Sequence, residues 1–450
     1  MSDSPFWNPK TETLPREQLR ALQLAKLRRQ AAWAAERSPF HQRAFKAAGF
    51  SPDQLTSWDD VDRIPFLTRE DWMASQDAFG PYGEIPVTGA AGSIRMHTTS
   101  GTSGRTPLRA LDSRKDWAWS AEMWCYALWG AGVRPHDVGY VAFGYGSFIG
   151  FWGLHNGLEK IGALTIPGGA QTTTTRVRQI VDFDVTVVAS TPTYALRMAQ
   201  EAEALGIDLP ASKVHTVILS GEPAGSIPET KALIEKAWGA KAYDTAGMTE
   251  VSTIFMFEPA DQPGGCHVIE DHFIEQVVDP ETGREVAYGE QGERVCTSFG
   301  RGTVPLLRYR TADLVVKVPH TASNSGRTWD LYAGGILGRV DDMKLVRGTN
   351  VYPRAVEGIV RTYPHVEEFQ LRITREGIRD EIRLRIEPAP TLSDDEWASM
   401  ARRIGSDLAD AHEGLRFIVE RAATDELPRF ELKAKRLVDE RPAVPVPATV

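Results

Sequence analysis

The sequence predicts an α/β protein with a large N-terminal region of parallel-rich sheets covered by helices, a β-rich subdomain, and a small α+β C-terminal domain. Three observations support this prediction. Short apolar runs alternate with amphipathic helical stretches between residues 138 and 243, the pattern becomes β-rich from 265 to 318, and a new mixed unit begins after Arg339. Because 450 residues exceed one compact core, the length predicts two or three domains. The restart of the pattern after Arg339 leads us to predict an N-terminal domain at 1–337 and a C-terminal domain at 338–450.

The first 71 residues resemble a helical cap. A leucine stripe between Leu19 and Leu27 predicts helices from Pro15 to about Ala48, and Ser51 to Asp71 contains helix starts and connectors. No residue of this segment is predicted to be catalytic.

The stretch from Thr98 to Pro107 consists mostly of residues with hydroxyl side chains and two glycines, and it contains one charged residue, Arg105. Glycines let the backbone approach a ligand, and hydroxyl and N–H groups can donate to phosphate oxygens. The alternative is a polar turn before a helix. No Gly-Lys-Ser/Thr follows, so the stretch is not the P-loop of nucleoside triphosphatases.

A helix is predicted from Asp112 to Gly130, followed by a strand from Val138 to Phe143. The glycines from Gly144 to Gly150 are spaced one residue too far apart for the dinucleotide fingerprint, which argues against a nicotinamide-binding fold.

The next segment alternates strands with helices, which favours a parallel sheet. In such sheets ligands bind beyond the carboxyl ends of the strands. The loops expected to bind ligand are therefore Gly144–Gly150, Ser220–Pro223 and Thr245–Glu250. The strands are predicted at Leu164–Pro167, Val185–Ala189, Val214–Ser220 and Lys241–Tyr243, and the helices at Thr175–Asp182, Pro192–Leu205 and Pro228–Trp238.

Strands are predicted next at His272–Val278, Gly292–Ser298 and Leu306–Leu314, and Pro319–Arg327 is predicted to be an exposed loop. The tail after Pro442 is predicted to be disordered.

Composition excludes several classes of protein. The net charge is −9 and no long basic block is present, so nucleic acid is not expected as a partner. No apolar run is long enough to cross a membrane, and no secretory signal is seen. The 3 cysteines are widely spaced, which predicts neither disulfides nor a zinc ribbon and suggests a cytoplasmic location.

Several short motifs occur in an order that indicates a protein family. They are Thr98–Pro107, Thr245-Ala-Gly-Met-Thr-Glu250, Tyr309-Arg-Thr-Ala-Asp313, Gly338-Arg-Val-Asp-Asp342 with Lys344 and Gly348, and Leu427-Pro followed by Lys433. In this order they resemble the adenylate-forming superfamily of acyl-CoA synthetases. Asp271-His-Phe and Asp279-Pro-Glu-Thr-Gly283 resemble its phenylacetate-CoA ligase branch.

The resemblance implies an aryl-acid CoA ligase that uses ATP, magnesium and coenzyme A. A carboxylate attacks the α-phosphate of ATP, pyrophosphate leaves, and the thiol of coenzyme A then attacks the acyl-adenylate. Two anions must meet in the first step, so cationic groups and magnesium are needed to relieve their repulsion.

The resemblance implies that the hydroxyl-rich loop binds the β- and γ-phosphates. Arg105 stands where the family usually has lysine, so a planar guanidinium group replaces a compact ammonium group. The residues expected to bind phosphate are Thr99, Ser100, Gly101, Thr102, Ser103, Gly104 and Arg105.

The resemblance also assigns Glu250 to magnesium and Thr249 to phosphate, the alternative being a helix N-cap. The adenine-side strip would be Ser220, Gly221, Glu222 and Pro223, the alternative being a turn. Ala246 precedes Gly247 where the family carries an aromatic residue, so the adenine must pack on something else.

Asp313 resembles the carboxylate that accepts both ribose hydroxyls, and Arg339 would contact ribose or phosphate. The alternative for Asp313 is a solvated turn. Asp341 stands at the hinge about which the small domain moves, unless this segment is a plain linker. Gly348 would line the coenzyme A tunnel.

Lys433 would supply the catalytic positive charge, although Leu432 replaces the usual glycine and Lys435 lies nearby, so a solvated basic run is the alternative.

The acyl pocket is predicted at Tyr145, Phe148, Ile149 and Gly150, because flat aromatic faces suit an aryl acid; the alternative is ordinary core packing.

Some relatives bind structural zinc through cysteines that are absent here, since Gly335-Ile-Leu337 precedes the Gly-Arg of the hinge and leaves only Cys266 and His267. No metal-ligating cysteine is therefore predicted.

Two other functions remain open. The enzyme could pass the acyl group to an amine, a hydroxyl or a carrier-protein thiol, or the fold could serve a non-catalytic nucleotide sensor. Glu250, Asp313 and Lys433 argue against the second alternative. Relatives of this branch are often homodimers, although the sequence does not define an interface.

Overall fold

The computed structural model describes residues 4–99, 107–340, 342–376, 379–430 and 436–441. Its helices are α1 Pro9–Glu12, α2 Arg16–Arg37, α3 Pro39–Ala48, α4 Arg69–Ala78, α5 Arg114–Gly130, α6 Trp152–Ile161, α7 Thr173–Asp182, α8 Pro192–Ala204, α9 Pro228–Trp238, α10 Pro353–Val360 and α11 Asp394–Ala411. Short 3-10 helices span Pro52–Gln54, Trp58–Arg63, Ala90–Gly92, Pro223–Ser226 and His320–Ala322.

The strands are β1 Arg95–Thr98, β2 Arg109–Asp112, β3 Val138–Val141, β4 Leu164–Pro167, β5 Val187–Ser190, β6 Thr216–Ser220, β7 Lys241–Met248, β8 Thr253–Phe257, β9 Gly265–Val268, β10 Phe273–Val278, β11 Gln291–Ser298, β12 Leu306–Val318, β13 Leu331–Ala333, β14 Gly338–Arg339, β15 Lys344–Val346, β16 Thr349–Val351, β17 Val366–Glu376, β18 Arg379–Pro388, β19 Ile418–Arg421 and β20 Leu437–Asp439.

One large sheet dominates the N-terminal region, in the strand order β10-β11-β12-β13-β9-β8-β7-β6-β5-β3-β4, with β14 paired to β12. Strands β4, β3, β5, β6 and β7 are parallel, whereas β7 and β8 are antiparallel and the sheet continues antiparallel to β10. The predicted parallel sheet and β-rich subdomain are therefore two halves of one sheet, joined at β7.

The parallel half is built from fully buried strands such as Val187–Ser190, as expected for a sheet covered on both faces. Helix α5 contributes a large buried aromatic surface, and Ser113 and Asp116 begin it with a capping box. Helix α5 therefore begins after Asp112, which ends β2 instead.

The C-terminal part has its own core. Residues from Val346 to Leu437 pack together, with α10 and α11 lying against a sheet of order β19-β18-β17-β20. Its size and α+β character agree with the predicted small domain; the boundary itself stays a prediction.

Two details of the prediction were wrong. Strand β7 extends to Met248 because β8 pairs with its second half, so most of the predicted Thr245–Glu250 loop is strand. In the predicted exposed loop, Ser325 and Arg327 are buried, since the Arg327 guanidinium binds Glu12 and Asp261.

Within the described ranges, no helix is both long enough and apolar enough to cross a membrane. Cys125, Cys266 and Cys296 are buried free thiols.

Candidate active site

The candidate site lies at the carboxyl ends of β3, β6 and β7, where the sheet changes from parallel to antiparallel. Strand β7 pairs with β6 in parallel and with β8 in antiparallel fashion. In open α/β sheets ligands bind beyond the carboxyl ends of the parallel strands, which is where the residues described next lie.

Glu250 is fixed by its side chain and its backbone. The Arg69 Nη1 atom lies 3.2 Å from Glu250 Oε1, and the Tyr309 hydroxyl donates to the same oxygen at 3.3 Å. The fully buried Arg301 donates to the backbone carbonyls of Thr249 and Glu250. A turn leads from here directly into β8, so the helix N-cap alternative for Thr249 is wrong.

Arg69 is a site residue that the sequence reasoning missed. It is the first residue of α4, whose N-terminus is closed by a capping box of Thr68 and Asp71. Its Nη2 atom donates to Thr99 Oγ1 at 3.2 Å. Arg69 therefore joins the predicted magnesium ligand to the start of the predicted phosphate loop. A cation at the positive end of a helix is unfavourable unless an anion faces it, and this was the available signal.

Thr99 and Leu108 close the two ends of the predicted phosphate loop. The Thr99 N–H donates to the Leu108 carbonyl at 3.0 Å, and the Leu108 N–H donates to Thr99 Oγ1 at 3.1 Å. The other predicted phosphate-binding residues, Ser100, Gly101, Thr102, Ser103, Gly104 and Arg105, lie outside the described residues.

The predicted adenine-side strip follows β6. Ser220 ends the strand, Gly221 has a φ of +94° that favours glycine, and the Glu222 carboxylate accepts hydrogen bonds from the Thr193 N–H and hydroxyl at 3.1 and 2.7 Å. Pro223 begins a 3-10 helix. The strip is therefore a turn after β6, and the hydrogen bonds of Glu222 to Thr193 fix its conformation.

Ala246 and Gly247 lie at a bulge in β7. A Cβ atom on Gly247 would lie 2.6 Å from the Thr253 carbonyl oxygen, so this position excludes a side chain. Ala246 is half-buried.

Asp313 lies in an irregular part of β12. Ala312 has a φ of +60°, and the register between β11 and β12 shifts there. The Asp313 carboxylate is 3.4 Å from Arg339 Nη1 and 3.8 Å from Arg294 Nη1. Burial raises the pKa of Asp313, while Arg339 and Arg294 lower it and Glu250 raises it further. Glu250, Asp313 and Arg339 thus share one electrostatic environment.

The predicted acyl residues lie between β3 and α6, on an aromatic surface. Tyr145 packs edge-on against Trp152 at 4.7 Å between ring centroids, and its hydroxyl is hydrogen-bonded to His155 Nδ1 at 3.0 Å. Phe148 lies 5.9 Å from Phe143. Burial raises the pKa of Tyr145, so its hydroxyl stays neutral.

This loop is tied to the strand before the phosphate loop, since the Thr98 N–H donates to the Ser147 carbonyl at 2.8 Å. Gly150 has positive φ, and a Cβ there would meet the rings of Phe143 and Phe148. Tyr145 and Phe148 are half-buried and open to a ligand, whereas Ile149 is only 6% exposed and belongs to the wall behind them.

Two family models match this chain: "AMP-binding enzyme" over residues 84–300 and "AMP-binding enzyme C-terminal domain" over residues 348–441. A phenylacetate-coenzyme A ligase of Thermus thermophilus is 36% identical over 387 residues, which cover 85% of this chain and 84% of the relative. The Escherichia coli enzyme of the same name is 30% identical, covering 96% of this chain and 97% of its own.

The chain belongs to the adenylate-forming enzymes, in their phenylacetate-CoA ligase branch. It is an AMP-forming acid–thiol ligase that uses ATP and coenzyme A. These matches confirm the sequence-based resemblance and the fold class.

The arrangement of the two parts of this ligase resembles one of two states of a solved relative. In its postadenylation state with 2-HIB-AMP, a 2-hydroxyisobutyryl-CoA ligase gives a TM-score of 0.93 at 30% identity, covering 98% of this chain and 93% of the relative. In its thioesterification state, the same relative gives 0.74 at 31% identity, covering 98% and 94%. The arrangement of the two parts of this ligase is therefore more similar to the relative's postadenylation state than to its thioesterification state.

In the ligase, Gly348 has a φ of +89° in the turn between β15 and β16, and a Cβ atom added there would have no atom within 4 Å. The predicted hinge residue Asp341 and the predicted catalytic lysine, Lys433, lie outside the described residues.

His267 of the ligase has a structural role. Its ring nitrogens are hydrogen-bonded to the Trp329 carbonyl at 2.9 Å and to the Ser325 hydroxyl at 2.8 Å. Burial lowers its pKa to about 3. Both ring nitrogens are thus already engaged by the protein.

Proposed function

We propose that the ligase activates an aromatic carboxylic acid. The observation that supports this proposal is the aromatic surface of Tyr145, Phe148 and Trp152 beside the nucleotide site. Flat rings provide large apolar contact for a planar acyl group. The phenylacetate-CoA ligases named above act on an acid of this kind, whereas the hydroxyisobutyryl-CoA ligase shows that a similar fold also serves a small aliphatic acid.

Glu250 and Thr249 are proposed as the ligands that hold Mg²⁺ and the phosphates. A buried carboxylate beside a hydroxyl fits the oxygen ligands that this ion prefers, and magnesium commonly binds one or two carboxylates together with substrate phosphates. When bound, the ion would offset the negative charge of the triphosphate. Arg69, which contacts Glu250, would keep this carboxylate in place between turnovers.

The remaining nucleotide contacts are proposed around the two strand ends. Asp313 would accept the ribose hydroxyls, with Arg339 beside it, and the Ser220–Pro223 strip and Ala246–Gly247 would face the adenine. Ala246 removes an aromatic stacking partner, so part of the adenine binding must come from the backbone of the strip.

Three proposed roles, those of the Ser100–Arg105 segment, Lys433 and Asp341, rest on residues outside the described ranges. The segment from Ser100 to Arg105 would wrap the β- and γ-phosphates, and Lys433 would stabilise charge at the attacking carboxylate and the α-phosphate. Asp341 would act as the hinge and Gly348 would line the coenzyme A tunnel. Replacing Lys433 with alanine should abolish adenylation while leaving thioester formation from a supplied adenylate largely intact.

In the proposed reaction, a carboxylate oxygen of the acid forms a bond to the α-phosphorus, and the bond to pyrophosphate breaks. The thiolate of coenzyme A then forms a bond to the acyl carbon, and AMP leaves. Homodimer formation and a cytoplasmic location stay predictions.

The proposal is tested by mass spectrometry of reactions that contain ATP, magnesium, coenzyme A and one acid. The acid panel contains phenylacetate, benzoate, hydroxy- and amino-substituted aryl acids, and 2-hydroxyisobutyrate as the aliphatic comparison. We expect an acyl-CoA thioester and AMP with at least one aryl acid. A preference for the aliphatic acid would contradict the proposed substrate class, and turnover of the acid independent of coenzyme A would favour a different acceptor.

A further inference from the structure

Arg354 connects the C-terminal part of the ligase to the large domain. It is the second residue of α10, and its guanidinium donates to three backbone carbonyls before the domain boundary. The acceptors are Ile336, Gly334 at 2.8 Å and Ser226 at 3.1 Å. A planar guanidinium group carries several N–H donors in fixed positions, so it can bind several carbonyl oxygens at once.

The three acceptors lie at positions that matter for adenylation. Ser226 ends the 3-10 helix that begins at Pro223, so it is continuous with the proposed adenine-side strip. Gly334 and Ile336 precede β14, which carries Arg339. One side chain of the small domain therefore holds both the strip and the segment that leads into the hinge.

A buried carboxyl group, that of Asp244, connects the Arg354 contact to strand β7. The Ser226 hydroxyl donates to Asp244, which lies on β7, six residues before Glu250. A Cβ atom on Gly335 would meet Ser226 Oγ and lie 3.1 Å from Asp244 Oδ2, so the Gly334–Ile336 segment packs directly on this pair. The Arg354 contact is thus part of one connected structure with β7.

The apolar cores of the two parts are separate clusters within the described residues. Open clefts of about 450 and 330 Å³ lie along the boundary; Arg361 and Arg436 line the first, and Tyr352 and Arg354 line the second. A further polar contact joins Gln200 to Glu367 at 3.1 Å. Because no described apolar cluster spans the boundary, directed hydrogen bonds have a large share in setting its geometry.

We propose that Arg354 is a positioning residue that holds the C-terminal domain in the arrangement required for adenylation. The contact must break if the small domain rotates, because Ser226 belongs to the large domain. The arrangement described above, which resembles the relative's postadenylation state, contains the contact. This inference rests on the proposed function, in which a residue of the small domain acts in the first half-reaction only.

The test compares the two half-reactions in Arg354→Ala, Arg354→Lys and wild type. ATP–pyrophosphate exchange reports adenylation, and release of AMP from a synthetic acyl-adenylate on addition of coenzyme A reports thioester formation. We expect Arg354→Ala to lower exchange about 10-fold or more, because a small misplacement of a catalytic group has large effects on rate. Thioester formation should keep its wild-type rate, and Arg354→Lys should recover part of the exchange.

Arg402→Ala is the matched control, since Arg402 is an exposed arginine on α11, and both of its half-reactions should equal those of wild type. Equal loss of both half-reactions in Arg354→Ala, or exchange at the wild-type rate, would overturn the proposal. A circular dichroism spectrum that matches wild type shows that Arg354→Ala is folded, so equal loss of both half-reactions then counts against the proposal. If the spectrum shows unfolding, the comparison rests on Arg354→Lys, in which exchange should fall more than thioester formation; an equal fall of the two would overturn the proposal. If wild type shows no exchange with any acid, the proposed function fails, independently of Arg354.

Small-angle X-ray scattering provides a second readout. With the bound acyl-adenylate, wild type should scatter as the compact arrangement described here, and Arg354→Ala should show a larger fraction of other arrangements. Identical scattering of the two proteins would count against a positioning role.

Discussion

The nucleotide side and the acyl side of the candidate site are built from different interactions. On the nucleotide side, the buried Glu250 faces Arg69, and the half-buried Asp313 faces Arg339. On the acyl side, Tyr145 and Phe148 make ring contacts and one hydrogen bond to His155. Charges in a medium of low polarity need defined partners, whereas aromatic packing tolerates changes of shape.

This difference separates the reaction from the choice of acid. The paired charges are proposed to bind groups that every adenylation reaction shares, namely phosphate and ribose. The aromatic wall is proposed to contact only the acyl group. Substitutions on the nucleotide side should therefore reduce activity with every acid, and substitutions on the acyl side should change the ranking of acids while leaving the KM for ATP unchanged.

Among the substitutions that compare the two sides, Glu250→Gln should have the largest effect. The substitution keeps the shape but removes the negative charge that is proposed to hold Mg²⁺, so kcat should fall about 100-fold or more with every acid tested. Initial rates of AMP formation over a magnesium titration would measure it, with Glu36→Gln on the exposed surface of α2 as the control. Loss with one acid and full activity with another would break the separation of the two sides.

Asp313→Asn should have the next largest effect, raising the KM for ATP about 10-fold or more, because a neutral amide accepts ribose hydroxyls less well than a carboxylate. The pH profile provides an independent check. Burial raises the pKa of Asp313, so the carboxylate takes up its proton at a higher pH than an ordinary aspartate as the pH falls. The KM for ATP of wild type should therefore rise on the acid side, and the Asn variant should lack this titration. An unchanged acid limb in the variant would assign it to another group.

Phe148→Ala should act on the acyl side alone. Removing a half-buried ring should raise the KM for aryl acids about 10-fold, because aromatic contact area is lost. Exchange assays over the acid panel would measure the change, with the KM for ATP as the internal control. An equal rise in both KM values would mean that the loop also shapes the nucleotide site, through its contact with Thr98.

Tyr145→Phe should have the smallest effect, a change of a few-fold at most in the ranking of acids. The ring and its contact with Trp152 remain, and only the hydroxyl bonded to His155 is lost. The ratio of kcat/KM for phenylacetate and a ring-hydroxylated analogue would measure it. A large drop for every acid would show that the hydroxyl supports the fold of the loop, not acid selection.

The order of the motifs made the family and fold class predictable from sequence. Each motif alone is too short to be specific, but the complete set in this order is specific. The length of β7 was not predictable, since its second half is strand only because β8 pairs with it. The same limit explains why Arg69 was missed. Its position at the start of α4 indicated that an anion should face it, but the partner Glu250 is 181 residues away, and the sequence does not show which anion that is.

Arg354 illustrates the same point at the boundary between the two parts. Its acceptors are backbone carbonyls, which carry no sequence signal at all. By contrast, the aromatic residues after β3 were predictable as a group, because a loop between a parallel strand and a helix lies at the ligand end of the sheet. The sequence did not distinguish Ile149, which is buried, from its half-buried neighbours.

The most direct test of the account is ATP–pyrophosphate exchange with an aryl acid in the absence of coenzyme A, followed by addition of coenzyme A to the same reaction. We predict acid-dependent exchange in the first stage and conversion of the accumulated adenylate to acyl-CoA and AMP in the second. The absence of exchange with every acid in the panel, or exchange without any thioester after coenzyme A is added, would contradict it.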